Sequence, residues 1–536
     1  MKRAGFWASA VSVLALAACS QPAANEGDAV STDTAETPQS DSVREIVQID
    51  PNNDPRVWLE EVEGDEATTW ADGQNERTNA RLQGDERYQG LFDAALELYE
   101  SEDRIPYGAY YGGYVWNLWQ DSEHTHGLWR RTTMESYLTD DIQWETILDV
   151  DALSETEGKN WVWRGANCLA PDYEQCMITL SDGGSDAAVR REFSISERAF
   201  VEGGFETPEA KGGVSWVDAD TLMVGLATNE ADSTTSGYPS VSYRWSRGTD
   251  IADATEVVRG NQDDVGLFGF RSEDSDGTVY MMASQAVTFY DTNWWYLPDD
   301  SAPVAIPLPT KSSIRDLHEG QLIFTLEEDW VPVEGGETFG SGSLLSFNMA
   351  EFAASGELPS INTVYVPGAR QSLGSVGSTR STLLVAVDEN VVGGLKAFNF
   401  VDGAWSSRDV PVPANMTIQL NGTNSREDIA FMNAEGFLTP DTLYTVNTAD
   451  LSVEAIKSIP ERFNAEGLVV EQLEVASTDG TLVPYFVVRA EDTVMDGTSP
   501  TLLYAYGGFQ FPIRPSYSGS RGRLRLEKGG VYVVPN

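Results

Sequence analysis

Seven short apolar segments recur along this chain, and no other feature restricts the fold as much. They lie at 114–116, 176–180, 222–226, 279–282, 322–326, 383–387 and 429–432, with starts 43 to 62 residues apart. Most are followed by a polar loop, a second strand such as 241–245 or 395–398, a turn and a third strand. Between residues 107 and 457 such runs alternate with Gly, Asp, Asn and Ser turns and leave little amphipathic helix, which reads as all-β. A β-sandwich rarely absorbs about 350 residues in one piece. Seven strand units in series are instead what a seven-bladed β-propeller requires.

The flanks follow other rules. Trp58, Leu59, Val62, Ala67, Trp70 and Ala71 recur at helical spacing, a second helix fits 88–99, and Pro106 closes this segment. After the repeats, 473–477 and 482–488 read as two strands joined by a Thr-Asp-Gly-Thr turn. Residues 501–509 read as a buried strand ending in a glycine loop, and 529–534 as another. Apolar strands of this kind resemble the opening of an α/β sheet.

At the amino terminus Lys2 and Arg3 precede an uncharged apolar run that ends in Leu16-Ala17-Ala18-Cys19. A basic start, an apolar middle and small residues before the cut describe an export signal. Leu-Ala-Ala-Cys resembles the bacterial lipobox, so Cys19 is the expected lipidation site; a plain secretory signal is the alternative. Ser20 then resembles an outer-membrane sorting residue, which puts the expected location at the periplasmic face of the outer membrane. Residues 20–47, mostly small, polar or acidic, cannot bury enough apolar surface to offset their ordering entropy and read as a tether. The expected organisation is therefore signal 1–18, lipidated tether 19–47, helical segment 48–106, propeller 107–467 and α/β strands 468–536.

Charge narrows the partners. With 35 basic and 84 acidic residues the net charge is −49, which excludes a phosphate-backbone binder and docking on anionic lipid through a basic patch. A heavily solvated surface is the expected reason for it, with a preference for cationic substrates as the alternative. Any membrane attachment is expected through the lipid alone.

A resemblance emerges at Tyr504-Ala505-Tyr506-Gly507-Gly508-Phe509, followed by Gly-Gly-Val-Tyr-Val-Val-Pro-Asn at 529–536. It is similar to the start of the peptidase domain of the prolyl oligopeptidase family, with Ala505 in place of the usual Gly. Asp54-Pro55-Arg56-Val57-Trp58-Leu59-Glu60 with Gln74-Asn75 resembles that family's amino-terminal helices, and Gly127-Leu128-Trp129-Arg130-Arg131-Thr132-Thr133 resembles a first-blade sequence. The resemblance implies an α/β-hydrolase with a Ser-Asp-His triad, short peptides as substrates, and a propeller that gates access. It also implies that the Tyr506 hydroxyl supports the oxyanion hole and that Phe509 lines a pocket for a proline side chain.

The triad belongs beyond the glycine loop, yet the 27 residues after Phe509 contain neither Asp nor His. No Gly-x-Ser-x-Gly occurs; Gly183-Gly184-Ser185 sits between two strands and reads as a hairpin turn. The chain has three histidines. On a strand His124 and His126 would share one face as a conceivable metal pair, but no third ligand of clear spacing completes it and a polar blade loop is the favoured reading; His318 has no assignable partner. No metal and no cofactor is expected. Cys168 and Cys176 flank a hairpin-like connection and are either a disulfide or two free thiols. Three readings remain open: a peptidase of which these residues form a truncated front, a lipid-anchored binding propeller without catalysis, or one half of a split enzyme.

Overall fold

The computed structural model of the chain describes residues 54–61, 64–506 and 511–536. The signal, Cys19, the tether, Val62 and Phe509 lie outside the described residues. Two compact units divide at Glu100 and Ser101.

In the smaller unit a 3-10 turn at Val57–Glu60 precedes helices α1 (Asp65–Leu82) and α2 (Tyr88–Tyr99). The first helix therefore starts later than the spacing of Trp58 to Ala71 suggested. Gly64 is extended at its amino-terminal cap and separates the turn from the helix, while Trp58 still meets Trp70 edge-on at 6.3 Å.

In the larger unit the chain makes seven consecutive four-stranded antiparallel sheets, each with its strands in sequence order. We number them 1 to 7, spanning 109–149, 161–200, 212–259, 266–306, 312–365, 371–410 and 417–458. The seven strongest apolar segments of the sequence are the second strands of these seven sheets. Their unbroken apolarity has a packing reason. Side chains alternate across a strand, so a strand with a neighbouring sheet on each face needs apolar residues at every position. In sheet 6, Leu384 and Ala386 join a cluster with Ile418, Ala430 and Met432 of sheet 7. Leu383, Val385 and Val387 join one with Ile323 and Leu344 of sheet 5.

This pattern goes round. Separate buried clusters join sheets 1 and 2, 2 and 3, 3 and 4, 4 and 5, 5 and 6, and 6 and 7. Another joins sheet 7, through Phe431 and Leu443, to Val115 and Tyr137 of sheet 1. The sheets therefore close into a ring. First strands of successive sheets touch along the third to seventh sheets and back to the first, which sets them around the axis.

The tail forms an eighth sheet in the order Leu468–Ala476, Leu482–Ala490, Val531–Pro535, Thr501–Leu503. The last pair is parallel and the others antiparallel. Its buried residues Phe486, Val488, Tyr532 and Val534 pack with Phe437 of sheet 7 and with Val391 of the hairpin in sheet 6. The expectation of a buried strand at 501–509 is corrected here. The strand ends at Leu503, and Leu502, Leu503, Tyr504 and Tyr506 are all exposed, because no further strand lies beside this edge among the described residues.

Candidate functional site

Two polar places stand out in the larger unit, one at each end of the axial strands. Strand Thr417–Gly422 separates them: Thr417 Oγ1 donates to Pro515 of the tail at 2.7 Å, while the loop after Gly422 reaches the opposite mouth.

At that mouth a cavity of about 220 Å³ is lined by Asn167, Cys168, Ser215, Trp216, Arg271 and Glu273 among others. Arg271 and Glu273 are two apart on strand Gly266–Glu273 and therefore share a face. The Arg271 guanidinium donates to Glu273 at 2.6 Å, and the other oxygen of Glu273 accepts from Arg426, which arrives from sheet 7. One carboxylate thus ties sheet 4 to sheet 7 across the ring. Because Arg426 lies 153 residues from Glu273, no local pattern announces the pair; only the Arg-x-Glu alternation at 271 and 273 was available as a signal.

The other place is the junction of ring and tail. Glu435 Oε2 accepts the Tyr517 amide at 2.8 Å, and burial pushes its carboxyl up to about 7 against that hydrogen bond. Nearby Asp441 accepts from the Tyr107 hydroxyl and from Asn433, and burial raises it as well. Arg514 of the tail donates to buried Asp388 at 2.6 Å, and Arg370 pairs with Glu474 at the surface.

The residues singled out from sequence are dispersed. Tyr506 is 49 % exposed, with its ring 6.2 Å from Phe511. Ser185 lies in a turn after Gly183 and Gly184, both with positive φ, and its hydroxyl donates to Ala187 O at 3.1 Å. His124 and His126 occupy the loop between strands Tyr114–Trp119 and Leu128–Thr133, as the polar-loop reading expects. Their Nδ1 atoms turn to different partners, Asp121 at 3.0 Å and the Trp161 carbonyl at 2.6 Å, so they form no shared face. His318 is fully buried against Trp405, and burial lowers its imidazole to about 4. Cys168 and Cys176 face each other across the hairpin of sheet 2 and are joined by a disulfide. Among the described residues no group of three or more His, Cys, Asp or Glu is placed to hold a metal ion.

A closed ring of four-stranded sheets with their first strands around a common axis defines a β-propeller protein. Residues 35–458 match the family model of the prolyl oligopeptidase amino-terminal β-propeller domain, and the chain belongs to the prolyl oligopeptidase family. It is 40% identical over 510 residues to an uncharacterized peptidase of Sinorhizobium fredii, covering 93% of this chain and 70% of the relative. A 129-residue stretch is 30% identical to the prolyl endopeptidase of Elizabethkingia meningoseptica, covering 24% of this chain and 18% of that one. Among solved structures, a post-proline cleaving enzyme from Rickettsia typhi superposes with a TM-score of 0.82 at 26% identity, over 89% of this chain and 71% of the other.

Proposed function

We propose that the seven sheets are the blades of a seven-bladed propeller, and that the tail is the first part of the α/β-hydrolase sheet of a serine peptidase acting on short peptides. The observation that carries this reading is the tail sheet. It turns from antiparallel to parallel pairing at Thr501–Leu503, presents an apolar open edge there, and sits on sheets 6 and 7 at one end of the axis. In this reading Tyr506 donates its phenol to the charge developing on the scissile carbonyl oxygen, a contribution of about a hundredfold or more in rate. Phe509 lines the proline pocket, and the propeller admits only unfolded peptides. Export and lipidation at Cys19 belong to the same reading, and the Cys168–Cys176 disulfide is consistent with an oxidising compartment.

The 536 residues contain three histidines and no elbow serine, so hydrolysis in this reading uses a nucleophile and a general base from outside them. A fluorophosphonate probe should leave the 536-residue chain unlabelled; stoichiometric labelling of any serine would overturn this part. These residues assayed together with an α/β-hydrolase partner segment, in one chain or two, should turn over a short proline-containing amide and be silenced by the same probe. Globomycin-sensitive maturation and fatty-acid labelling, both abolished in Cys19→Ala, test the anchor.

A further inference from the structure

Six of the seven joints in the ring are crossed by the chain itself. The joint between sheets 7 and 1 is not, and among the described residues no backbone hydrogen bond crosses it. At the mouth away from the tail, however, a third sheet reaches over this seam. The Cys168–Cys176 disulfide closes the loop between the first two strands of sheet 2, and that loop carries Tyr173. The Tyr173 ring packs against Tyr111 of sheet 1 with centroids 4.9 Å apart and planes tilted by 45°. Its hydroxyl lies 3.5 Å from Nδ2 of Asn424 in sheet 7, which also donates to Tyr110 O of sheet 1 at 3.3 Å. The Oδ1 of Asn424 accepts the amide of Arg426, whose guanidinium holds Glu273 on sheet 4.

The close approach is built into the backbone. Gly112 turns at φ +61, and a β-carbon there would stand 2.9 Å from Tyr173 Cδ2, so glycine both makes the turn and makes room for the ring. A six-residue loop tied at its base loses much of its freedom to leave the seam.

We propose that the disulfide-tied loop is a redox-dependent clasp across the seam between sheets 7 and 1. Oxidised, it holds Tyr173 over Tyr111 and Asn424. A dithiol opens it by a two-electron, two-proton reduction: the S–S bond breaks, Cys168 and Cys176 become thiols, and the dithiol leaves as its cyclic disulfide. Tyr173 is then free to leave, and Asn424, whose Oδ1 accepts the Arg426 amide, loses one of its partners across the seam.

Hydrogen–deuterium exchange on the 536-residue chain reads this without any hydrolysis assay, so its failure and that of the peptidase reading are distinguishable. Reduction with dithiothreitol should speed exchange at least fivefold in 107–114 and 423–428 and leave 312–326, on the far side of the ring, unchanged. Cys168→Ser/Cys176→Ser should reproduce that pattern without reductant. Tyr173→Ala, with the disulfide intact, should reproduce it too. Unchanged seam segments on reduction, a silent Tyr173→Ala, or equal acceleration over all seven sheets would each overturn the clasp.

Discussion

The joint between sheets 4 and 5 and the joint between sheets 7 and 1 bury aromatic rings of the same kind, yet they are held in different ways. In the first, Phe324, Phe347 and Phe352 are fully buried, and the chain passes directly from one sheet to the next. In the second, Phe431 and Tyr137 meet at 5.6 Å, and further ties are made by side chains, among them Tyr107 to Asp441, Lys457 Nζ to Thr139 O, and Asn424 to Tyr110. Loop closure is already met wherever the chain is continuous. At the seam, hydrogen bonds and one cluster must do it, so the seam is where local opening should begin.

Phe431→Ala is the strongest way to break this contrast. It and Phe347→Ala each remove a fully buried ring and should cost about 3–5 kcal/mol in global stability. Only the seam variant should also raise exchange in 107–115 and 429–447 under native conditions. Equal seam exchange in both variants would dissolve the distinction.

Titration adds a second contrast, because two buried groups, one in the interior and one near the seam, respond to pH in opposite directions. His318, in the interior beside Trp405 of sheet 6, falls from 6.5 to about 4 on burial. The unfolded chain binds its proton more readily between those values, so its contribution is present above 6.5 and is lost as pH falls towards 4, worth roughly 2–4 kcal/mol. Glu435, at the tail junction near the seam, rises from 4.5 to about 7. The folded state holds that proton more tightly, so its contribution is lost as pH rises through about 7. Melting curves from pH 4 to 8 should show His318→Phe flattening the acid limb and Glu435→Gln the alkaline one. A smaller effect is expected at the surface: Glu474→Gln, which removes the pair with Arg370, should change stability by less than about 1 kcal/mol.

Much of the ring was legible because the second strands are apolar on both faces. The axial strands escaped notice for the complementary reason. Gln371–Ser378 reads Gln-Ser-Leu-Gly-Ser-Val-Gly-Ser and Ser312–His318 carries Arg315 and Asp316, so neither shows an apolar run. Units of three strands were therefore visible where each sheet has four. Helix α2 was legible to the residue from its periodicity. The site was much less so. Glu273 and Arg426 meet only because the ring brings sheets 4 and 7 face to face across its axis, and Glu435 acquires its environment from Tyr517, 82 residues away. The strand at 501–503 misled because apolarity signals a partner, and the described residues supply one on only one side.

Separate clusters have a consequence for how such a molecule varies over time. Each of the seven joints in the ring has its own apolar packing, and a change of volume in one cluster meets only two sheets. The axial strands give Trp216, Leu267, Leu317 and Ile418 to that packing, whereas Arg271, Glu273 and Arg315 on the same strands take no part in it. A lineage can therefore rewrite such polar axial positions, residue by residue, while leaving the apolar clusters in place. Polar display and robustness are inherited at different positions, some of them on one strand.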